Sequence, residues 1–233
     1  RSEGKLDNLA RQIDTKSLNG SYGLGHTRWA THGAPNRVNA HPHWSQARDI
    51  ALVHNGIFEN ADVLRSKLAE LGYAFETETD TEAMIHLIDE AFRENSALED
   101  AVLAALDQVE GAYGIAVVSS RDPGKIVVAR KGSPLLIGIG KNGENLVGSD
   151  ASAVIQHTKD VVYLDDGDCA VLTSEGYRVF HIEQGDVQRS VHQIEWDLEA
   201  AEKGGYEHFM LKEICEQPES LRNVMRGRLL EET

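Results

Sequence analysis

Residues 26–43 read HTRWATHGAPNRVNAHPH, a stretch that gathers four histidines, two arginines and a tryptophan. His41 and His43 form a His-x-His pair, to which His32 could add a third nitrogen ligand for a metal such as zinc. The stretch contains no Asp, Glu or Cys, and a His-x-His pair alone is a weak metal signal. Histidines that form hydrogen bonds within loops are the favoured interpretation, and we expect no metal.

A nucleophilic mechanism would need a Ser, Thr or Cys that is activated by a neighbouring base. Thr27 and Thr31 carry hydroxyl groups within the histidine-rich stretch, but threonine is also an ordinary strand residue. Cys169 begins an apolar run after the residues DDGD, which predicts a core position, and Cys215 falls in a helical tail. Neither cysteine has the electropositive surroundings that favour a reactive thiolate.

Polar groups in three separate parts of the sequence could recognise an amino-acid amide. Arg28 can bind a carboxylate through two parallel hydrogen bonds. Asn55 and Gly56 follow a strand-like run and could hold an oxyanion, although Asn-Gly is also a common turn. Asp80 could bind an ammonium group, although its place at a predicted helix start is also typical of an N-cap. Spacing alone does not show that these groups converge.

The elements that must position these groups are predicted by hydrophobic periodicity. Apolar residues recur at helical spacing in three segments, 60–72, 80–92 and 96–111. Ser96 and Glu99 form a capping-box pattern ahead of the third segment. The run 49–56 reads as a strand that ends in a turn, and further short β-type runs follow from Gly111 onward. Their hairpin-length gaps favour antiparallel sheets covered by helices, an α+β arrangement.

Composition limits the classes of partner. The 233 residues include 38 acidic and 23 basic side chains, and the formal charge of −15 does not suit a nucleic-acid-binding surface. Two cysteines are too few for a disulfide framework, which favours a reducing compartment. No apolar run approaches the length of a membrane span, and no signal-peptide pattern opens the sequence. We therefore expect a cytoplasmic protein without a nucleic-acid or membrane partner.

A series of motifs, in order along the chain, resembles one enzyme family. The motifs are HTRWATHG, NAHPH, HNGIFEN, ETDTE, GAYG, GSPLLIGIG and SDASA. Together they resemble the glutaminase domain of the glucosamine-6-phosphate synthase family. The tail YEHFMLKEICEQP resembles the segment that joins this domain to the sugar-phosphate isomerase half in that family. Phosphoribosyl-pyrophosphate amidotransferases and asparagine synthetases share the fold but not this motif combination, so another amidotransferase of that fold is the alternative.

The resemblance implies an α+β fold of the N-terminal-nucleophile hydrolase type, a four-layer αββα sandwich of two antiparallel sheets. It implies a glutamine amidotransferase (glutaminase) domain over residues 1–205 and a helical connector over residues 206–233. It also implies that glutamine is hydrolysed to glutamate and ammonia, and that the ammonia passes to fructose 6-phosphate to make glucosamine 6-phosphate. No cofactor is implied, and the full-length enzyme is expected to be a homodimer.

Residue roles follow from the same resemblance, position by position. Arg28 is expected to bind the glutamine α-carboxylate, and Asp80 is expected to bind its α-ammonium group. The other expected roles are Thr31 and His32 as pocket lining, Asn55 and Gly56 as the oxyanion hole, Trp29 as the gate of the ammonia path, and His41 beside the active-site loop and the domain junction.

One departure from the family concerns the nucleophile. In the family it is an N-terminal cysteine whose own α-amino group serves as the base, in a segment that also carries an RGYDSAG-type motif. This sequence opens RSEGKLDNLA and contains neither feature. The sequence as given is therefore expected to be N-terminally incomplete, to lack the isomerase half and to bind glutamine without hydrolysing it. A non-catalytic module that binds glutamine or a regulator is the remaining alternative.

Overall fold

The computed structural model describes residues 1–13, 19–28, 33–195 and 205–225. Within these ranges the helices are α1 (Leu6–Ala10), α2 (Ala61–Glu70), α3 (Asp80–Ala91), α4 (Leu98–Leu106) and α5 (Phe209–Met225). The strands are β1 (His43–Trp44), β2 (Ile50–Phe58), β3 (Gly111–Ser119), β4 (Lys125–Lys131), β5 (Leu136–Ile139), β6 (Asn145–Gly148), β7 (Asp160–Tyr163), β8 (Asp168–Thr173), β9 (Gly176–His181), β10 (Gly185–Asp186) and β11 (His192–Gln193). Two short 3-10 helices, Lys141–Gly143 and Ala151–Ala153, lie on either side of β6.

The strands form two antiparallel sheets. A seven-stranded sheet has the order β1-β2-β3-β4-β8-β9-β10, and a four-stranded sheet has the order β11-β7-β5-β6. The longest pairing joins β2 to β3 over nine residues, from Ile50 opposite Ser119 to Phe58 opposite Gly111. This pairing fixes the register of the centre of the larger sheet, and β2 carries part of the candidate site at its far end.

Alternating side chains on the central strands separate two apolar faces of the larger sheet. Ile50 and Leu52 on β2 belong to the cluster that packs under α2, α3 and α4. Val53 on β2 and Ala116 on β3 point the other way and pack against β5 and β7. Because successive strand residues face opposite sides, the two clusters come from the same strands. The larger sheet is therefore buried on both faces, by helices on one side and by the smaller sheet on the other.

A third apolar cluster lies on the outer face of the smaller sheet. Leu136 and Val161 contribute from β5 and β7, and Ala151, Val154 and Ile194 cover them from neighbouring segments. The layers of helices, larger sheet, smaller sheet and outer cover agree with the expected α+β sandwich of two antiparallel sheets. Among the described residues, none of the helices combines the length and the apolar character needed to cross a bilayer.

The expected capping box at the start of the third predicted helix is wrong. The residue before α4 is Ala97, whose own side chain cannot cap the helix. The Leu98 N–H instead donates to the Asp122 carboxylate at 2.9 Å, and Glu99 forms an ion pair with Lys125 at 2.6 Å. An acidic residue from the β3–β4 turn has therefore taken the role that the local pattern gave to serine, because the fold brings that turn against the helix.

Candidate active site

A cavity of about 440 Å³ opens where the end of β2, the segment around residues 26–28 and the start of α3 meet. Five of the eight residues to which the family resemblance gives roles line it: Arg28, His41, Asn55, Gly56 and Asp80. The other three, Trp29, Thr31 and His32, lie outside the described residues. The residues that spacing alone could not bring together are thus close in space wherever the structure describes them.

A larger cavity of about 620 Å³ adjoins the first and shares His26, Thr27, His54 and Asn55 with it. Its other walls include apolar side chains between the sheets, such as Leu135. Arg28 and Asp80 line the smaller cavity and not the larger one. We therefore assign the candidate site to the smaller cavity, where a cation, an anion and an amide side chain meet.

Asn55 and Gly56 lie within strand β2 and not in a turn. Asn55 is opposite Gly114 and Gly56 is opposite Tyr113 in the pairing with β3. Gly56 has a φ of 126°, and a Cβ there would lie 2.1 Å from the carbonyl oxygen of Ala112. Only glycine fits this backbone and this close approach. The interpretation of Asn-Gly as an ordinary turn is therefore wrong, and the pair presents polar groups at the end of a rigid strand.

The side chain of Asn55 is oriented by His26. The Nε2 atom of His26 lies 2.8 Å from the Asn55 Oδ1 and 3.0 Å from the carbonyl oxygen of His54. Both partners are acceptors, so His26 donates from Nε2 and its neutral ring carries the lone pair on Nδ1. Burial lowers the pKa of His26 and favours this neutral form. The Asn55 amide N–H₂ consequently points away from His26 and can act as a donor elsewhere.

Asp80 is the first residue of α3, and the residue before that helix is Thr79. Its Oδ1 accepts from the Thr81 N–H at 2.9 Å, and its Oδ2 accepts from the Phe58 N–H at 2.9 Å. The N-cap interpretation is therefore wrong by one position. The carboxylate binds the first turn of its own helix and the end of β2 at once, and it adds a negative charge at a helix N-terminus, where such charge is stabilised.

Arg28 is held by the backbone of the loop that follows it. Its Nη1 donates to the carbonyl oxygen of Ala34 at 2.9 Å, and its Nη2 donates to that of Gly33 at 3.4 Å. A guanidinium carries five N–H donors in a planar fork, and these two bonds help to set its orientation. The loop thereby places a fixed cation in the wall of the cavity.

Burial favours the neutral forms of three tightly packed histidines beside the cavity, His26, His41 and His43. The His41 ring stacks on His26 with centroids 4.2 Å apart and meets the edge of His43 at 4.8 Å. Burial lowers the pKa of His41 to about 2, and burial followed by the charge of Arg1 lowers that of His43 to about 3. The His54 N–H donates to His41 Nδ1 at 3.2 Å, and Thr79 bonds to His43 Nε2 at 3.2 Å. These rings serve as hydrogen-bonding supports beside the cavity.

Neither cysteine lines the cavity. Cys169 lies in β8 with no exposed surface, and burial raises the pKa of its thiol to about 12. Cys215 is exposed on α5. The core position expected for Cys169 is confirmed. The described cavity residues include a guanidinium, a carboxylate and an Asn–Gly pair, and they contain no thiol.

Comparisons with known proteins point to one family. A model described as a glutamine amidotransferase domain matches residues 26–156. Curated proteins named glutamine–fructose-6-phosphate aminotransferase (isomerizing) align with nearly the whole chain. The protein from Chlorobaculum tepidum is 53% identical over 98% of this chain and 38% of its own length. That from Thermus thermophilus is 48% identical over 100% of this chain and 38% of its own. The chain thus spans 38% of the length of these relatives.

Solved structures with a similar fold include glutamine phosphoribosylpyrophosphate amidotransferase from B. subtilis, complexed with ADP and GMP. It is 27% identical and superimposes with a TM-score of 0.56 over 67% of this chain and 34% of its own. A structure titled as the allosteric regulatory enzyme of purine biosynthesis is 29% identical, with the same TM-score and coverage. These neighbours confirm the N-terminal-nucleophile amidotransferase fold that the motifs implied.

Proposed function

Because the chain belongs to the glutamine amidotransferase domain family, we propose that the cavity of about 440 Å³ binds L-glutamine and that this part of the protein releases its amide nitrogen as ammonia. The observation that carries the proposal is the presence of Arg28, Asp80 and the Asn55–Gly56 pair in the walls of one cavity. Its volume is within the range of small-molecule sites. The three groups match the α-carboxylate, the α-ammonium group and the amide carbonyl of one amino acid.

The proposed chemistry is attack on the amide carbon by a thiolate, followed by loss of ammonia and hydrolysis of the thioester to glutamate. Attack turns the carbonyl oxygen into an oxyanion, which the Asn55 side-chain N–H and the Gly56 backbone N–H would stabilise. The burial of Cys169 and the position of Cys215 on α5 argue against either as the nucleophile. By the family resemblance, the nucleophile is an N-terminal cysteine with its own amino group as the base.

The fate of the ammonia is proposed from the names of the relatives. Those proteins are glutamine–fructose-6-phosphate aminotransferases, so we propose that fructose 6-phosphate is the acceptor and glucosamine 6-phosphate the product in the complete protein. Residues 1–205 would form the glutaminase domain and residues 206–233 a connector, which is consistent with α5 in that region. A homodimer in the cytoplasm, without nucleic acid, is proposed on the same resemblance.

Roles for four further residues rest on the resemblance. Thr31 and His32 would line the glutamine pocket, and Trp29 would gate the ammonia path. His41 would lie near the active-site loop and the domain junction, and its contacts with His26 and His54 are consistent with a support beside the pocket. Phosphoribosyl pyrophosphate is the alternative acceptor, on the evidence of the solved neighbour at 27% identity. The 53% identity to the aminotransferase favours fructose 6-phosphate.

Calorimetric titration of the 233-residue chain with four ligands tests the proposed site. L-Glutamine and L-glutamate carry both α-groups, glutaramate lacks the α-ammonium group, and 4-aminobutyramide lacks the α-carboxylate. We expect binding in the order of the number of matched groups, with both complete amino acids ahead of both truncated ones. Equal affinity for all four ligands, or no heat with L-glutamine and L-glutamate up to saturating concentration, would reject the assignment.

A further inference from the structure

We propose that Asn39 is a positioning residue that fixes Arg28 relative to Asp80 and so sets the chirality of the amino acid that the site accepts. The inference rests on the proposed function, because it takes these two residues as the groups that bind the α-carboxylate and the α-ammonium group. Asn39 lines neither of the two cavities described above, yet it is only 1% exposed. A buried amide must satisfy its hydrogen bonds within the protein, and Asn39 does so with two segments of the site.

On one side, Asn39 holds the loop that orients Arg28. Its Nδ2 donates to the carbonyl oxygen of Ala34 at 3.1 Å. The same oxygen accepts from Arg28 Nη1 at 2.9 Å. Arg28 and Asn39 therefore share one acceptor, and the position of the guanidinium follows the position of that carbonyl group.

On the other side, Asn39 holds the segment that leads into α3. Its Oδ1 accepts from the Glu78 N–H at 3.1 Å, and its Nδ2 donates to Glu78 Oε2 at 3.0 Å. Asp80 follows two residues later and is tied to β2 through the Phe58 N–H. Glu78 Oε2 also accepts from the Ala34 N–H at 3.3 Å, so the two segments are joined a second time.

The charge on Glu78 strengthens this junction. The hydrogen bond from Asn39 lowers the pKa of Glu78, and the bond from the Ala34 N–H acts in the same direction. Glu78 is therefore a carboxylate at neutral pH and accepts charge-assisted bonds from both partners. The contacts among Asn39, Glu78 and Ala34 therefore join the loop that binds Arg28 to the segment that leads into Asp80.

The chemistry of this position requires an amide. Asn39 uses an acceptor toward the Glu78 N–H and donors toward Ala34 and the Glu78 carboxylate, and an amide offers both kinds of group at one end. An aspartate would place a second carboxylate against Glu78. A residue larger than asparagine at position 39 would have no space beside the loop. Asn39 already packs so closely against Gly33 that a Cβ on Gly33 would lie 2.6 Å from Asn39 Nδ2.

A stereochemical readout separates positioning from general stability. The D-isomer of an amino acid exchanges the places of two α-substituents, so preference for the L-isomer depends on a fixed relation among the cation, the anion and the Asn55–Gly56 pair that would hold the side-chain amide or carboxylate. We propose to measure the affinities of L-glutamate and D-glutamate for the 233-residue chain and for Asn39→Ala, Gly33→Ala and Asn60→Ala. Asn60 is the matched control, because its side chain also joins two segments, through Gln108 and Glu110, but does not line the cavity.

We expect Asn39→Ala to weaken L-glutamate binding by about tenfold or more and to bring the L-to-D ratio close to one. Gly33→Ala should lower the ratio as well, since the added methyl group pushes the loop away from Asn39 and Glu78. Asn60→Ala should lose stability and keep the ratio. If Asn39→Ala does not fold, Asn39→Asp decides the question, because it keeps the size of the side chain and removes the Nδ2 donor to Ala34 and Glu78.

Unchanged affinity, or affinity that falls equally for both isomers, would overturn the role of Asn39, because either result leaves the stereochemical preference intact. If the unsubstituted chain binds neither isomer, the proposed glutamine site itself fails and this inference fails with it. The two failures are thus distinguished by the first titration in the series.

Discussion

Gly56 and Ala112 approach each other so closely across the β2–β3 pair that a methyl group on Gly56 would lie 2.1 Å from the Ala112 carbonyl oxygen. Gly56 also has a φ of 126°, a conformation that residues with a side chain rarely adopt. Both constraints act at one end of the candidate oxyanion-binding pair. Side-chain substitution at this position must therefore move the strand that carries Asn55.

Gly56→Ala should destabilise the protein by roughly 2–5 kcal/mol, from the strained backbone and the overpacked contact together. The matched control is Gly72→Ala, where φ is 92° but no atom lies within 4 Å of the added methyl group. The control should cost only about 1 kcal/mol, as for a residue forced into the left-handed region. Urea unfolding of both variants gives the two values, and equal losses would show that the contact with Ala112 is unimportant.

Arg28→Lys should weaken L-glutamine binding by about 1.5–3 kcal/mol, because an ammonium group cannot reproduce the planar fork that binds a carboxylate. The affinity for 4-aminobutyramide, which lacks that carboxylate, should stay the same. Arg178→Lys is a suitable control, since Arg178 is exposed and pairs with Asp186. An equal effect of Arg28→Lys on both ligands would remove Arg28 from the proposed role.

Asp80→Asn should lower both stability and affinity. Each carboxylate oxygen accepts one backbone N–H, so an amide nitrogen in place of one oxygen leaves a buried donor unsatisfied, at a cost of about 1–3 kcal/mol. Binding of L-glutamine should fall, while binding of glutaramate, which has no ammonium group, should not. Asp150→Asn, where the carboxylate accepts the Ser152 N–H and does not line the cavity, should affect stability alone. Retained L-glutamine affinity in Asp80→Asn would argue against an ammonium-binding carboxylate.

The buried histidines should make the protein less stable in mild acid. The pKa of His41 in the folded chain is about 2 and that of His43 about 3, both below the ordinary value of 6.5. Below about pH 6.5 the unfolded chain takes up protons at these positions and the folded chain does not. Stability is therefore fully present above pH 6.5 and falls as the pH is lowered toward 5, by at most about 2 kcal/mol per histidine.

Urea unfolding at pH 7 and pH 5 measures this loss. His41→Asn should reduce the difference between the two pH values, since asparagine does not titrate and its oxygen can accept from the His54 N–H as Nδ1 does. His208→Asn changes an exposed side chain on the approach to α5 and should leave the difference unaltered. A pH dependence that persists in full in His41→Asn would assign it to other groups.

The 233-residue chain should bind L-glutamine without releasing ammonia, because the described cavity residues contain no thiol. Replacing Cys169 and Cys215 by alanine should leave binding unchanged, apart from a modest loss of stability at buried Cys169. Ammonia release that the double variant loses would show that one cysteine reaches the amide. Ammonia release that survives in the double variant would point to another nucleophile. Thr27, which lines the cavity, would then be the first residue to substitute.

The periodic parts of the fold could be predicted from the sequence, and the long-range contacts could not. Helices α2 and α3 fall within the predicted segments, because an apolar face at 3.6-residue spacing can be recognised from neighbouring residues in the sequence. Strand β2 was expected to end in a turn at Asn55–Gly56, yet it continues to Phe58. The reason is tertiary, since pairing with β3 extends the strand and the glycine accommodates a close neighbour.

In the candidate site, too, some residues could be predicted from the sequence and others could not. The charged and amide groups, Arg28, Asp80 and Asn55, are recognisable by residue type and motif. The residues that orient them, His26 and Asn39, make contacts with partners 29 and 39 positions away. Their importance depends on which segments the sheets and helices bring together, and no local pattern records it. Asn39 belongs to the NAHPH motif, but the motif alone does not indicate that Asn39 is buried or that it bonds to Glu78.

Within the described ranges, the larger sheet ends on both sides in strands of two residues, β1 and β10. A sheet edge is a template on which another polypeptide can add by backbone hydrogen bonding, and longer edges are better templates. An edge of two residues offers an incoming strand too few bonds to offset the entropy lost on docking. The strand that carries Asn55 and Gly56 is covered by β1 only opposite Ala51 and Leu52. Beyond that point the His54 N–H and carbonyl groups bond to the side chains of His41 and His26, so side chains already occupy part of the backbone edge that an incoming strand would need.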